Sequence, residues 1–144
     1  MNTESAEATR SAPNGKKLWT VRWESATLEA GDRIYGTMNL VSGTIYENDK
    51  AVSRFSGERG VSKKDSDVLA LEGKVRVVSL DQKTTLFCDR LEWHGTRKLA
   101  IAKGNVRVEA PLFVMDAGSE VWSNPDLSQV ATPDLYKVKH GRTP

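Results

Sequence analysis

Apolar and charged residues alternate with a period of two along almost the whole of this chain, and no other feature constrains the fold so tightly. Trp19, Val21 and Trp23 alternate with Thr20, Arg22 and Glu24. Leu69, Leu71, Val75 and Val77 alternate with Ala70, Glu72, Lys74 and Arg76, and Ala102, Val106 and Val108 with Lys103, Asn105, Arg107 and Glu109. Successive side chains of a strand point to opposite faces of its sheet, so each run makes a strand with one dry and one wet face. Helical periodicity is nearly absent: residues 26–30 alone have the makings of a helical turn, which Gly31-Asp32 would stop. Turn chemistry separates the runs, at Gly31-Asp32, Glu47-Asn48-Asp49-Lys50, residues 63–67, Leu80-Asp81-Gln82-Lys83, His94-Gly95-Thr96 and Ser123-Asn124-Pro125-Asp126. The chain therefore reads as all-β and antiparallel, built from about a dozen short strands.

The turns recur at regular spacing because the strands repeat. A shift of 31 lays residues 56–79 on residues 87–110 without a gap, with Arg59 on Arg90, Gly73 on Gly104, Val75 on Val106, Arg76 on Arg107 and Val77 on Val108 all identical. A weaker third copy follows. Glu120-Val121-Trp122 echoes Leu91-Glu92-Trp93, and Thr132-Pro133-Asp134-Leu135 echoes Lys103-Gly104-Asn105-Val106. A degenerate first copy spans residues 19–39. In each clear copy a glycine, Gly73 or Gly104, falls on the apolar face in mid-strand, where glycine marks a bulge, a bend or the close approach of another backbone. Strands bent at the same place let successive hairpins stack around one core, as in a β-jellyroll, a β-solenoid or a strongly curved sandwich.

These residues also carry a family resemblance. Gly57-Glu58-Arg59-Gly60, then Leu69-Ala70-Leu71-Glu72-Gly73-Lys74-Val75-Arg76-Val77, then Cys88-Asp89-Arg90-Leu91-Glu92-Trp93 and Ile101-Ala102-Lys103-Gly104-Asn105-Val106-Arg107-Val108 resemble the OstA/LptA/LptC superfamily, the periplasmic bridge components of lipopolysaccharide transport. Lys17-Leu18-Trp19-Thr20-Val21-Arg22-Trp23-Glu24-Ser25-Ala26 is similar to the opening strand and turn of the LptC-related branch. The resemblance runs over residues 16–139. It departs from the family pattern in lacking the N-terminal membrane helix of LptC-type members, and in having Pro133 where a third glycine would stand.

The resemblance implies an antiparallel β-jellyroll over residues 16–140; residues 1–15, polar and rich in Ala, Ser, Thr and Glu, read as a flexible leader, and residues 141–144 as a short tail. It implies a non-enzymatic component that carries lipopolysaccharide, or a related glycolipid, from the inner-membrane ABC transporter toward the outer membrane. Such a protein works in the periplasm, anchored at the inner membrane by an N-terminal helix absent from this chain. The lipid-binding inner face would then comprise Trp19, Val21, Trp23, Leu69, Leu71, Val75, Val77, Ala102, Val106 and Val108. Neighbouring Lpt-type jellyrolls and the transporter would dock at exposed strand edges, with self-association edge to edge as a further contact. The downstream edge is expected at residues 134–139, in a strand carrying Leu135, Tyr136, Lys137 and Val138. No cofactor and no metal are implied.

The residues alone leave a second reading open, a closed-core β-module of the envelope that binds carbohydrate or protein. Exposure of Trp19, Trp23, Trp93 and Trp122 separates the two, because a flat exposed row of aromatics suits a sugar and burial suits lipid or plain core. Charge argues against nucleic acid, since 21 basic and 19 acidic residues leave a net +2 with no basic stripe. Cys88 is the sole cysteine, which excludes an internal disulfide and a cysteine-based zinc site and leaves a small buried hydrophobe. His94 and His140 stand in polar turn contexts without a nucleophile motif or a metal-binding spacing beside them. Lys63-Lys64 and Arg97-Lys98 fall in or just after corresponding turns and read as solvated charges or contacts for lipid phosphate. Arg76 and Arg107 face outward, where pairing with Glu72 or Glu109 is expected.

Overall fold

The computed structural model describes residues 2–3, 6–29, 35–63 and 67–139, and within them the chain is almost entirely strand. In chain order the strands are β1 (Asn2–Thr3), β2 (Ala6–Ser11), β3 (Lys17–Trp23), β4 (Ser25–Glu29), β5 (Tyr35–Glu47), β6 (Lys50–Lys63), β7 (Val68–Ser79), β8 (Thr85–His94), β9 (Leu99–Ala110), β10 (Phe113–Ser123) and β11 (Val130–Ala131), followed by one helix, α1 (Pro133–Lys139). All belong to a single antiparallel sheet in the order β1-β4-β5-β6-β7-β8-β9-β10-β11, with β3 also paired to β5 and β2 to β3. The architecture is that of a β-jellyroll, as the sequence led us to expect.

Tight turns make this succession of hairpins possible. Asn48 and Asp49 both have positive φ (52° and 62°) between the paired Glu47 and Lys50, the two-residue loop whose twist matches that of its strands. The expected turn at residues 63–67 lies partly, and that at Gly31-Asp32 wholly, outside the described residues.

A crease crosses the sheet at right angles to the strands. It passes through Leu40 (φ 52°) on β5, Gly57-Glu58 on β6, Gly73-Lys74 on β7, Asp89 on β8, Gly104-Asn105 on β9 and Gly118 (φ 78°) on β10. Register shifts mark it on each side: between Ser56 and Arg59, Glu72 and Val75, and Phe87 and Arg90. Gly73 and Lys74 oppose the single residue Asp89 on β8, which is the two-against-one count of a β-bulge. Gly73 and Gly104 thus occupy equivalent bends, at φ 85° and 81°, where only glycine is at ease.

The crease divides the long strands into two halves whose inner faces meet. Contacts between residues far apart in the strand order show the closure. Ser53 on β6 donates its hydroxyl to the carbonyl of Pro125, beyond β10, at 2.5 Å. Gly95, after β8, lies so close to Leu18 and Trp19 of β3 that a Cβ there would stand 2.9 Å and 3.0 Å from their side chains. Lys98 reaches Glu47 at 3.9 Å.

Three segments differ from expectation. Residues 26–30 were expected to allow a helical turn, yet 25–29 form β4, because β5 offers a free backbone edge along Tyr35–Asn39 and pairing outweighs a weak local preference. Ala6–Ser11, inside the stretch expected to be a flexible leader, is β2, paired along β3 from Ala6↔Trp23 to Ser11↔Lys17. The strand expected at 134–139 is α1. Pro133 begins it, Asp134 stands in its first turn, and Tyr136 N donates to Thr132 O at 2.9 Å. Proline preset for the first helical turn, with an acidic residue at the positive helix end, favours helix over strand.

Candidate functional site

The inner face of the creased sheet is the most apolar surface the fold builds. β7 contributes Leu69 and Leu71 from one half and Val75 and Val77 from the other; β9 contributes Ala102, then Val106 and Val108; β3 contributes Trp19 and Val21. All nine are buried, with Leu69 and Ala102 at 0% exposure, and Trp23 is half-buried against the same cluster. Nine of the ten residues expected on the inner face are thus buried in one cluster, and Trp23 packs against it. They pack against one another, so in this conformation the two halves form a filled core.

Sequence reasoning missed part of this surface. β8 adds Leu86, Cys88, Leu91 and Trp93, and β5 adds Met38, Val41 and Ile45. The inward parity on β8 is even before the crease and odd after it, with Asp89 and Arg90 both exposed between, and this phase change hides the strand from a plain period-two reading. The pairs 86/88 and 91/93, each in phase internally, were the available signal.

The inner face holds few polar groups, and burial shapes their chemistry. Desolvation, then the negative charge of Asp89, pushes the Cys88 thiol up to about 12, the opposite of an activated nucleophile. Ser53, Ser79, Thr84 and Ser123 are buried, and each hydroxyl has a partner: Pro125 O, Gln82 N, Gln82 O and Asn124 O respectively.

The outer face is charged and its charges pair, both between strands and along one. Arg59 bonds Glu72 at 2.7 Å, Arg107 bonds Glu109 at 3.1 Å, and Arg22 bonds Glu7 at 2.9 Å. Arg76, instead of pairing with Glu72, lies over the Phe87 ring at 5.9 Å. Two of the hollows along the crease on this face are related by the repeat, at about 400 Å³ and 600 Å³. Lys74, Val75 and Arg76 line the first, and their repeat counterparts Asn105, Val106 and Arg107 the second. His94 Nε2 lies 3.2 Å from Glu92, and Lys98 pairs with Glu47; Lys64 and His140 lie outside the described residues. Among the described residues no group of three His, Cys, Asp or Glu is placed to hold a metal ion.

The tryptophans do not form an exposed row. Trp19 and Trp93 are 1% exposed, and Trp23 and Trp122 are half-buried. This removes the feature on which a carbohydrate-binding reading rested.

The free edges lie elsewhere than expected. Leu135, Tyr136, Lys137 and Val138 are in α1, which presents no strand edge; Leu135 is exposed, and Tyr136 is buried with its ring edge-on to Trp122 at 6.1 Å. Beyond β10, β11 pairs with Trp122 and Ser123 alone. Among the described residues, Phe113–Gly118 therefore has β9 on one side and no strand on the other. Leu112, Phe113 and Val114, at 96%, 55% and 58% exposure, crowd the start of that open edge. At the opposite end of the sheet, β2 pairs with β3 and with nothing beyond it among the described residues.

No helix among the described residues is long and apolar enough to cross a membrane. The family model described as lipopolysaccharide-assembly, LptC-related, matches residues 4–119. No curated protein matches the chain.

Proposed function

From the premise that this chain belongs to the LptC-related family of lipopolysaccharide assembly, we propose that it is a non-enzymatic carrier whose creased sheet holds the acyl chains of lipopolysaccharide, or of a related glycolipid, between its two halves. Membership makes it a periplasmic component of lipopolysaccharide transport. The finer role, passing lipid from the inner-membrane transporter toward the outer membrane while tethered at the inner membrane, is our reading. One observation carries it: an unbroken apolar inner face runs along both sides of the crease, from Trp19 and Val21 through Leu69, Leu71, Val75 and Val77 to Ala102, Val106 and Val108.

Because these side chains fill the interior, lipid must part the two halves. Acyl chains would then replace protein–protein contacts with protein–lipid contacts of similar apolar area, so little hydrophobic free energy is lost in the exchange. The bulges of the crease are where the ladder is already interrupted, and opening there breaks the fewest backbone hydrogen bonds.

Handover requires contact with a neighbour, and the open edges suit strand addition. We place the downstream edge at Phe113–Gly118 of β10 rather than at 135–138, and the upstream edge at β2. Backbone groups without a partner, flanked by exposed Leu112, Phe113 and Val114, are what a docking strand needs.

Photocrosslinkers test the lipid site. Placed at Val75 or Val106 they should capture lipopolysaccharide or a related glycolipid, whereas at Arg76 or Arg107, one residue along and facing outward, they should not. Equal capture at both parities would mean surface adsorption and would sink the proposal.

A further inference from the structure

Trp93 stands out among the polar groups of the interior. Its side chain is 1% exposed, and its indole Nε1 is shielded from solvent without an acceptor in the protein. The buried hydroxyls of Ser53, Ser79, Thr84 and Ser123, by contrast, are all satisfied. Across the sheet Trp93 faces Leu69 and Ala100, which bring no polar side-chain atom. Leaving a buried donor unpaired is unfavourable, and folds rarely tolerate it without a use.

The chemistry of the site restricts what can answer the donor. A phosphate or a sugar would carry charge or several polar groups to a place where one indole N–H stands between Leu69 and Ala100. A water molecule needs two to four polar partners, and neither cross-strand neighbour, Leu69 or Ala100, has a polar side-chain atom to offer one. A carbonyl on an otherwise apolar chain fits: it accepts one bond, donates none and brings hydrocarbon on both sides.

We propose that the Trp93 N–H recognises the carbonyl oxygen of an ester- or amide-linked acyl chain lying on the inner face. The inference rests on the lipid-carrying reading above and adds to it the atom that reads the linkage. It makes Trp93 a register point, holding the head of an acyl chain beside β8 while the tail runs along the crease.

The test compares two lipids on the unaltered chain: dilauroyl phosphatidylglycerol, which is ester-linked, and its didodecyl ether counterpart of equal chain length. The Trp93 indole resonance, identified by its loss in Trp93→Phe, is followed in proton–nitrogen correlation spectra during each titration. The ester lipid should move that resonance downfield and bind about tenfold more tightly than the ether lipid, the worth of one good hydrogen bond to a previously unpaired donor. Trp93→Phe should bind both lipids alike, at the strength of the ether lipid. Equal affinity of the unaltered chain for the two lipids overturns the inference without needing the variant to fold, and so does an ester preference that survives in Trp93→Phe. In either case lipid still binds and the carrier reading stands. If neither lipid binds, nor lipopolysaccharide itself, the carrier reading fails and this inference falls with it.

Discussion

Replacing Gly104 by alanine would put a methyl group against Asp89, on the facing stretch of β8 where the register shifts, and the structure lets the penalty be divided into parts. The backbone there has φ 81°, a left-handed conformation that disfavours an L side chain by about 1–2 kcal/mol. The added Cβ would stand 2.8 Å from Asp89 Oδ2 and 3.0 Å from Asp89 Cβ, so the carboxylate must move. That carboxylate accepts a hydrogen bond from Asn105 Nδ2 at 2.8 Å, and losing it adds about 0.5–1.5 kcal/mol. The stiffer unfolded chain returns about 0.4–1 kcal/mol. The net loss is about 2 kcal/mol, or roughly 4–8 °C in a domain of this size. Gly118 provides the control: φ is 78°, but nothing lies within 4 Å of its added Cβ, so alanine there carries the conformational penalty alone, about 1 kcal/mol net of the unfolded-state gain. Gly73→Ala should fall between them, because Glu58 presses on it as Asp89 does on Gly104 but carries a longer, exposed side chain that can swing away. Urea unfolding gives the order directly, from midpoints at constant m-value. Should Gly104→Ala prove no more destabilising than Gly118→Ala, the crease is not held by the carboxylate packed on its glycine, and the account of the bend is wrong.

Four further outcomes are expected. Ser53→Ala removes the donor that ties β6 to the Pro125 carbonyl across the closed end of the sheet, and should lower stability by about 1–2 kcal/mol in the same urea assay. Val114→Asp should weaken binding to a partner jellyroll at least tenfold in a pull-down titration, with its circular dichroism and melting temperature unchanged because Val114 is exposed; undiminished binding would move the docking edge off β10. Cys88, with its thiol raised to about 12, should react with a disulfide reagent at pH 8 only as fast as the core opens, so stabilising the fold should slow labelling in proportion. Asp67 has its carboxyl held below the usual value: burial alone would raise it, but bonds from Thr96 and the nearby His94 outweigh that. A depressed folded pKa stabilises above the unfolded value, near 4, and the contribution disappears as pH falls through the folded one. Asp67→Asn should therefore flatten the loss of stability below pH 4.

Much of this molecule was legible because a two-residue period and a 31-residue period coincide. Gly73 and Gly104 could be read as equivalent bends since both fall in phase with buried neighbours and stand one repeat apart. Their contact residues, Glu58 and Asp89, also stand 31 apart and went unnoticed, because charged residues on a wet face carry no periodic signal of their own. β2 escaped for a similar reason: Glu7, Ala8 and Thr9 are all exposed, and an edge strand wet on both faces does not alternate. α1 was misread through the repeat itself. Extending the third copy past Thr132 placed residues 134–139 in a strand just after Pro133, although Pro133-Asp134 is a helix start by local chemistry. The inner-face residues of β3, β7 and β9 were found from parity, but Trp93 was placed there by the fold alone, since the phase change at Asp89-Arg90 had concealed which way β8 faces.

The line of bulges also sets how this architecture can change in length. Each repeat of 31 residues contributes two neighbouring strands, creased at the same level, and strands lie about 4.8 Å apart, so a repeat widens the sheet by about 10 Å along the crease. The cross-section stays the same, because each copy brings its own glycine and the carboxylate that packs on it. An in-frame duplication of residues 56–86 would extend the gutter by one such step, and a deletion would shorten it by one, with both end strands intact. The length of apolar face that one such chain can present is thus counted in whole hairpins, a quantity set by copy number and independent of what lines the walls.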